Sequence, residues 1–167
     1  GCGPDNRVKT SFMIRSTAAG NGRAVAAAIQ QMMAQVYIDA TIVANDFATY
    51  LTVTSIHDFD TVQSAWNADF NDASNFLDLF ITGRSNNKGL YSNKQYDTLL
   101  AQSRNELDLE KRAQILSQAE QILLDEHGVI PIWFWVSPDL YRPYVKNWTP
   151  NANNIPNQDY SAFFFFP

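Results

Sequence analysis

"VKTSFMIRSTAAGNGRAVAAAIQQMMAQVYIDATIVA" (8–44) changes its period twice, and those changes decide the fold class. Val8, Thr10, Phe12 and Ile14 alternate with polar or outward positions, which predicts a half-buried strand. "TAAGNG" (17–22) is turn chemistry. From Arg23 to Tyr37 the spacing lengthens. Val25, Ile29, Met32 and Val36 fall at i, i+4, i+7 and i+11, one face of a helix. "IDATIVA" (38–44) returns to strand character. A strand, a helix and a strand of these lengths make a βαβ unit, whose strands pair in parallel through a crossover.

The alternation continues downstream. "DFATYL" (46–51) predicts a short helix and "FDTVQSAW" (59–66) a strand; "SNFLDLFI" (74–81) is helical in pattern. "TGRSNNKG" (82–89) has loop composition. A helical pair follows. Tyr96, Leu99, Leu100 and Ser103 share a face, with Ser92 or Asn93 as N-cap. Leu109, Ala113, Leu116 and Leu123 form the next face, Asp108 and Arg112 make an i,i+4 pair, and Gly128 ends the helix. "VIPIWFWV" (129–136) predicts a hydrophobic strand, placed at an edge or crossing point because Pro131 cannot donate to a ladder. Residues 137–167 are rich in Pro, Asn and aromatics and show no helical pattern. They are expected to lie on another surface.

Composition bounds the function. With 46% apolar and 17% charged residues in 167, the chain is globular and long enough to bury a core. A net charge of −5 without a basic stripe argues against nucleic acid. One cysteine, Cys2, permits no internal disulfide. "GCG" at the N-terminus resembles a lipidated mature end, but no apolar signal precedes it, and a cut terminus is favoured. No apolar run reaches the roughly 20 residues of a membrane-spanning helix, so a soluble chain is expected.

Several motifs fail on inspection. "GNGRAV" (20–25) has Val25 where a dinucleotide loop needs its third glycine, and Asp39 stands too early for the ribose acid. "HDFD" (57–60) has no second histidine at metal spacing, and a turn leading into a strand is favoured. His127 suits a helix end. Asp69, Asn71 and Asp78 do not make a calcium loop, because Ser74 and Phe80 replace its glycine and closing glutamate. No metal or cofactor is expected. No G-x-S-x-G elbow or H-E-x-x-H motif occurs. An enzyme is therefore disfavoured, with Asp69 and Asp72 as acid and base the remaining catalytic alternative. "WNADFNDASNFLD" (66–78) places Asp69 between Trp66 and Phe70, and Trp133 and Trp135 share one face of a separate strand. Aromatic walls beside one fixed charge suit a small ligand with a cationic end. A solvated loop acid beside core tryptophans is the competing reading, and spacing alone favours it modestly.

From about Phe59 onward the chain resembles the C-terminal part of the extracellular solute-binding proteins of peptide ABC transporters, the oligopeptide- and dipeptide-binding family. "AWNADFNDASNFLD" resembles that family's Trp-x-Ala-Asp-Tyr-x-x-Pro segment. "YSNKQYDTLLAQSRNELDLEKRAQILSQAEQILLDEHGVIPIWFWVSPDLYRPYV" (91–145) is similar to its closing pattern. The stretch 8–44 fits the same lobe more loosely.

The resemblance implies an α/β fold, one lobe of a type II periplasmic-binding-protein-like architecture with a mixed sheet flanked by helices. Residues 1–136 would form the second-lobe domain in part, and 137–167 would return to the first lobe, which is missing from this chain. The implied function is capture of short peptides for an importer, in the periplasm or anchored outside a Gram-positive membrane, with a membrane permease as partner. Asp69 would take the ligand's α-amino group. Trp66, Asn67, Trp133 and Trp135 would contribute contacts, Trp135 foremost. Gln63 stands where some members carry a cation toward the ligand carboxylate, and "NDA" (71–73) lacks the family proline. A nickel complex, an oligosaccharide or a murein peptide are alternative ligands within the same family.

Overall fold

The computed structural model of the protein describes residues 2–16, 22–134, 142, 144–146 and 164–165. The chain divides into two compact units, Gly1–Ala65 and Trp66–Pro167.

The first unit holds the βαβ arrangement. Strand β1 (Val8–Arg15), helix α1 (Gly22–Gln35) and strand β2 (Ile38–Asn45) follow in order, and β1 pairs with β2 in parallel from Val8↔Ile38 to Arg15↔Asn45. Helix α2 (Phe47–Ser55) comes next, and β3 (Thr61–Val62) returns to the other side of β1, giving the order β2-β1-β3. The expected strand over 59–66 thus contracts to two residues. Asp60 helps to explain this, since its carboxylate accepts the Ser11 backbone N–H and hydroxyl, both at 2.8 Å, on the stretch of β1 just before β3 pairs.

Because β1 is central, it is buried on both faces at Phe12, Met13 and Ile14, as parallel sheets require. Phe12 and Ile14 meet Ala26 and Ala40, with Ile29, Met33 and Ile42 around them. The helical period of α1 is as expected, but its phase is shifted by one residue. Gly22, Ala26, Ile29 and Met33 face the sheet, whereas Met32 and Val36 are exposed. The run of alanines hides the phase, because an alanine reads as apolar on any face. Helix α2 is capped by Asp46, which accepts the Thr49 N–H at 3.0 Å.

The second unit is helical. It contains α3 (Ser74–Leu77), a 3-10 turn (Asp78–Phe80), α4 (Lys94–Ser103) and α5 (Leu109–Asp125). Leu77, Tyr96, Leu100, Leu116, Ala119 and Leu123 form its core. Asn93 caps α4 through the Tyr96 N–H, one of the two expected caps. On α5 the buried face is Leu116, Ala119 and Leu123; Leu109 and Ala113, expected there, are exposed. Asp108 does not pair with Arg112. It caps the helix through the N–H groups of Glu110 and Lys111, and Arg112 turns to Asp72.

Helix α5 ends in a paired motif, with Gly128 N–H bonded to the Leu123 carbonyl and His127 N–H to that of Leu124. His127, not Gly128, takes the left-handed conformation (φ 58°). Gly128 serves close packing: a Cβ there would lie 2.6 Å from Leu123 Cδ1 and 2.7 Å from Tyr91 Cδ2.

The segment 129–134 is not a strand. Val129 packs on the core, but Ile130, Ile132, Trp133 and Phe134 are exposed. Pro131 offers no ladder donor, and no described strand pairs with this run. Among the described residues, antiparallel pairing occurs in a two-stranded ladder of β4 (Val145–Lys146) with β5 (Phe164–Phe165) and in an isolated bridge between Gly3 and Asn6. Most of 137–167 lies outside the described residues.

Candidate functional site

The loop from Trp66 to Ala73 carries most of the candidate residues of the second unit, and two devices hold its backbone. The first is Asn75, a buried residue in the first turn of α3. Its Oδ1 accepts the Trp66 indole N–H at 2.8 Å and the Asp69 backbone N–H at 3.3 Å. One side-chain oxygen therefore fixes both the ring and the chain beneath the Asp69 carboxylate. Asp69 itself is exposed.

The second device is Asp72. Arg112 on α5 donates to both of its oxygens, at 2.6 and 2.9 Å, and sends its Nε–H to the Ser103 carbonyl at 3.1 Å. Asp72 also accepts the Ser74 N–H at 2.9 Å, closing the entry into α3. The Arg112 guanidinium, helped by the Ser74 bonds, holds the Asp72 carboxyl far below the usual carboxylate range against the cost of its partial burial.

The two acids thus have different characters. Asp72 is committed to structure: both oxygens are occupied and its charge is fixed. With both oxygens already bonded, it is poorly placed to act as the base of a catalytic pair with Asp69. Asp69 presents a carboxylate at the surface on a backbone that Asn75 constrains.

The other expected residues are placed as follows. Trp66 is partly exposed, its ring held through its N–H, and Asn67 is exposed beside it. Trp133 is exposed in the extended run after α5. Trp135 lies outside the described residues. Gln63 belongs to the first unit, half-buried just beyond β3. Its N–H bonds to the Met13 carbonyl at 2.9 Å and its carbonyl accepts the Tyr50 hydroxyl at 3.1 Å. A shallow hollow lined by Gln102, Asn105, Glu106 and Ile115 sits at the α4–α5 turn and contains none of these residues. Among the described residues no group of three or more His, Cys, Asp and Glu side chains is arranged to hold a metal.

Sequence reasoning missed Asn75 and the Asp72–Arg112 pair. The available signal was an amide in the otherwise apolar "SNFL", where a side chain that faces inward must find polar partners.

Comparison with known proteins gives a consistent set of matches. Residues 3–88 match the family described as bacterial extracellular solute-binding proteins, family 5, middle. The chain is 36% identical over 112 residues to the periplasmic oligopeptide-binding protein OppA of Haemophilus influenzae, covering 67% of this chain and 21% of that protein. It is 32% identical over 123 residues to the dipeptide-binding protein DppE of Bacillus subtilis, covering 73% of this chain and 23% of that protein. Among solved structures, Haemophilus influenzae OppA in complex with RPPGFSPFR aligns with a TM-score of 0.76 at 31% identity, over 87% of this chain and 29% of that one. The Escherichia coli murein tripeptide binding protein MppA aligns with a TM-score of 0.86 at 25% identity, over 99% of this chain and 32% of that one. The chain spans about a fifth to a quarter of the length of the curated relatives it matches.

Proposed function

The chain belongs to the bacterial extracellular solute-binding proteins of family 5, and from that premise we propose that it is the part of an importer's binding protein that grips a short peptide by its α-amino end. Its fold is that of one lobe of a type II periplasmic binding protein. The family consists of binding proteins, not enzymes, and the locked Asp72 agrees with that. The observation that carries the reading is Asp69: an exposed carboxylate within the motif, its backbone N–H fixed by the same Asn75 oxygen that holds Trp66.

Binding peptides of many sequences requires gripping what all of them share, the termini and the backbone. A carboxylate that pairs with the α-ammonium does this at one end. Once water is excluded, truncating one partner of such a pair costs roughly 2–5 kcal/mol, much of it the orphaned charge. Side chains of the ligand then occupy roomy, hydrated pockets where water adapts to each. Trp66 and Trp133 supply apolar walls, with Trp135 a further candidate. Closure of the first lobe over the ligand is a hinge motion and involves no chemistry.

In this reading residues 1–136 belong to the second lobe, and 137–167 return to a first lobe carried by the rest of the protein. The site of action is the periplasm or cell exterior, and the bound peptide is handed to a membrane permease.

The test is Asp69→Asn in the full-length protein, followed by calorimetry with a short peptide and its N-acetylated form. We expect affinity for the free peptide to fall tenfold or more, about 1.4 kcal/mol at least. The acetylated peptide, which has no ammonium, is expected to bind wild type and variant alike. Equal affinity of both proteins for the free peptide sinks the assignment.

A further inference from the structure

We propose that the loop leading into α4 is a contact surface for anionic lipid headgroups, separate from any peptide site: Leu90 enters the headgroup layer, and Arg84 and Lys94 meet lipid phosphates. From Thr82 to Lys94 the chain carries three cations, Arg84, Lys88 and Lys94, and no acid. With a net charge of −5 overall and +3 in this stretch, the rest of the chain carries −8. The loop is thus a basic island in an acidic protein. An anionic surface attracts it and repels the remainder, which favours one orientation of approach.

Leu90 is the second observation. Its φ is 55°, the left-handed region that suits glycine or asparagine and strains a bulky side chain. A core leucine can offset such strain by burial, but Leu90 is 64% exposed. An apolar side chain is therefore held out into solvent at a cost that an apolar environment outside the chain would repay.

The loop is also preorganised. The buried Asn87 amide donates to the carbonyls of Phe80, Ile81 and Tyr91, and its oxygen accepts the Tyr91 N–H. The Leu90 N–H bonds to the Asn87 carbonyl, and the Asn87 N–H to that of Arg84. Two acids pack against its base. Asp97 accepts the Thr82 N–H, and Glu126 accepts from the Tyr91 hydroxyl and the Asn93 amide. Arg84 and Lys94 are exposed, and neither makes an ion pair among the described residues.

A short cationic run is commonly just solvated, and an acidic protein face would also attract it. The footprint favours lipid. One protruding leucine among long, flexible cations falls well short of the roughly 800 Å² per partner of a standard protein interface. Headgroups demand no matching shape, and long cationic side chains reach phosphates while an apolar tip sits deeper.

The experiment is co-sedimentation of the full-length protein with vesicles of phosphatidylglycerol and phosphatidylcholine in equal parts, and with vesicles of phosphatidylcholine alone. We expect wild type to bind the anionic vesicles more tightly than the neutral ones, with affinity falling as salt rises. Arg84→Gln combined with Lys94→Gln should lower the anionic-vesicle affinity tenfold or more. Leu90→Asn, which tolerates the left-handed backbone, should lower it threefold or more. Lys9→Gln combined with Arg23→Gln changes net charge equally at two exposed cations outside the loop, and should bind as wild type. Equal binding to both vesicles, variants that bind as wild type, or an equal loss in the Lys9 and Arg23 control overturns the inference. Wild type that binds neither vesicle also overturns it, and turns attention to an acidic protein surface as the partner.

Discussion

The two units of the chain are held together in different ways. In the first, backbone ladders do most of the polar work: β1 is bonded on both sides, and its core is made of Phe12, Ile14, Ala26 and Ala40. In the second, long connections between short helices leave carbonyls and N–H groups that no ladder can reach. Polar side chains satisfy them instead. The buried Asn87 amide donates to the carbonyls of Phe80, Ile81 and Tyr91, and its oxygen accepts the Tyr91 N–H. The Tyr96 hydroxyl donates to the Leu77 carbonyl in the middle of the core, and burial pushes its phenol well above the ordinary range. Asn75 and Asp72 do the same for the loop that bears Asp69, accepting the N–H groups of Asp69 and Ser74. A buried backbone group must be paired somewhere. Where regular structure is short, individual polar side chains become as important as core residues.

The largest effect should therefore come from a polar residue of the second unit, well above the loss of a single methyl from the core of the first. Asn87→Ala strands several part-buried backbone groups, three carbonyls and one N–H, at roughly 1 kcal/mol each. We expect a loss of about 4 kcal/mol in chemical denaturation. Ile14→Val, which removes one methyl from the β1 core, should cost about 1 kcal/mol. The comparison breaks if Asn87→Ala costs no more than Ile14→Val.

The Asp72–Arg112 pair comes next, and pH probes it. Both side chains are less than a third exposed. Arg112→Met leaves Asp72 without its bidentate partner and removes a donor from the Ser103 carbonyl; about 2 kcal/mol should be lost at pH 7. The acid dependence follows from the direction of the shift. Asp72 is held below its ordinary range in the folded protein, while in the unfolded chain it titrates near ~3.9. The folded state then binds fewer protons, so the contribution is complete above about pH 5 and fades as the pH falls through the unfolded-state value toward the folded one. In Arg112→Met that part of the acid sensitivity should vanish. An unchanged stability profile between pH 5 and 2 would show that the pair is ornamental.

How legible this was depends on the same contrast. The βαβ unit could be read because its ladders follow from hydrophobic period alone, and the parallel pairing emerged as expected. Its one slip, the phase of α1, arose where alanines at 24 and 26–28 carry no directional signal. In the second unit the helices were readable from apolar spacing and the caps from residue type. The polar partners were not. Arg112 has an acid four residues before it and another forty before it, and sequence distance favours the wrong one. "VIPIWFWV" (129–136) has the composition of a strand, but composition does not supply a neighbour, and its described part lies unpaired. Asp69 is singled out only through family resemblance, as the proposed ligand contact. Asn75, which bonds its backbone N–H, carries no such signal, because a family motif points to proposed contacts and not to the residues that hold them.

Asn75 offers the smallest effect and the sharpest test of that last distinction. Its Oδ1 accepts two N–H groups, one of them on the exposed Trp66. Because water can replace part of what is lost, Asn75→Ala should cost only about 1 kcal/mol of stability. The local consequences should be plainer. The Trp66 indole proton should shift in the NMR spectrum and exchange faster with solvent, and the Asp69 amide should lose protection. In the full-length protein peptide affinity should fall, though less than in Asp69→Asn, because the charge remains and only its support is loosened. The double variant separates the two roles. If Asn75 acts through Asp69, then Asn75→Ala adds little once Asp69→Asn is in place. Fully additive losses would mean that Asn75 supports binding through Trp66 alone, and the shared-oxygen account of the Asp69 loop would have to be given up.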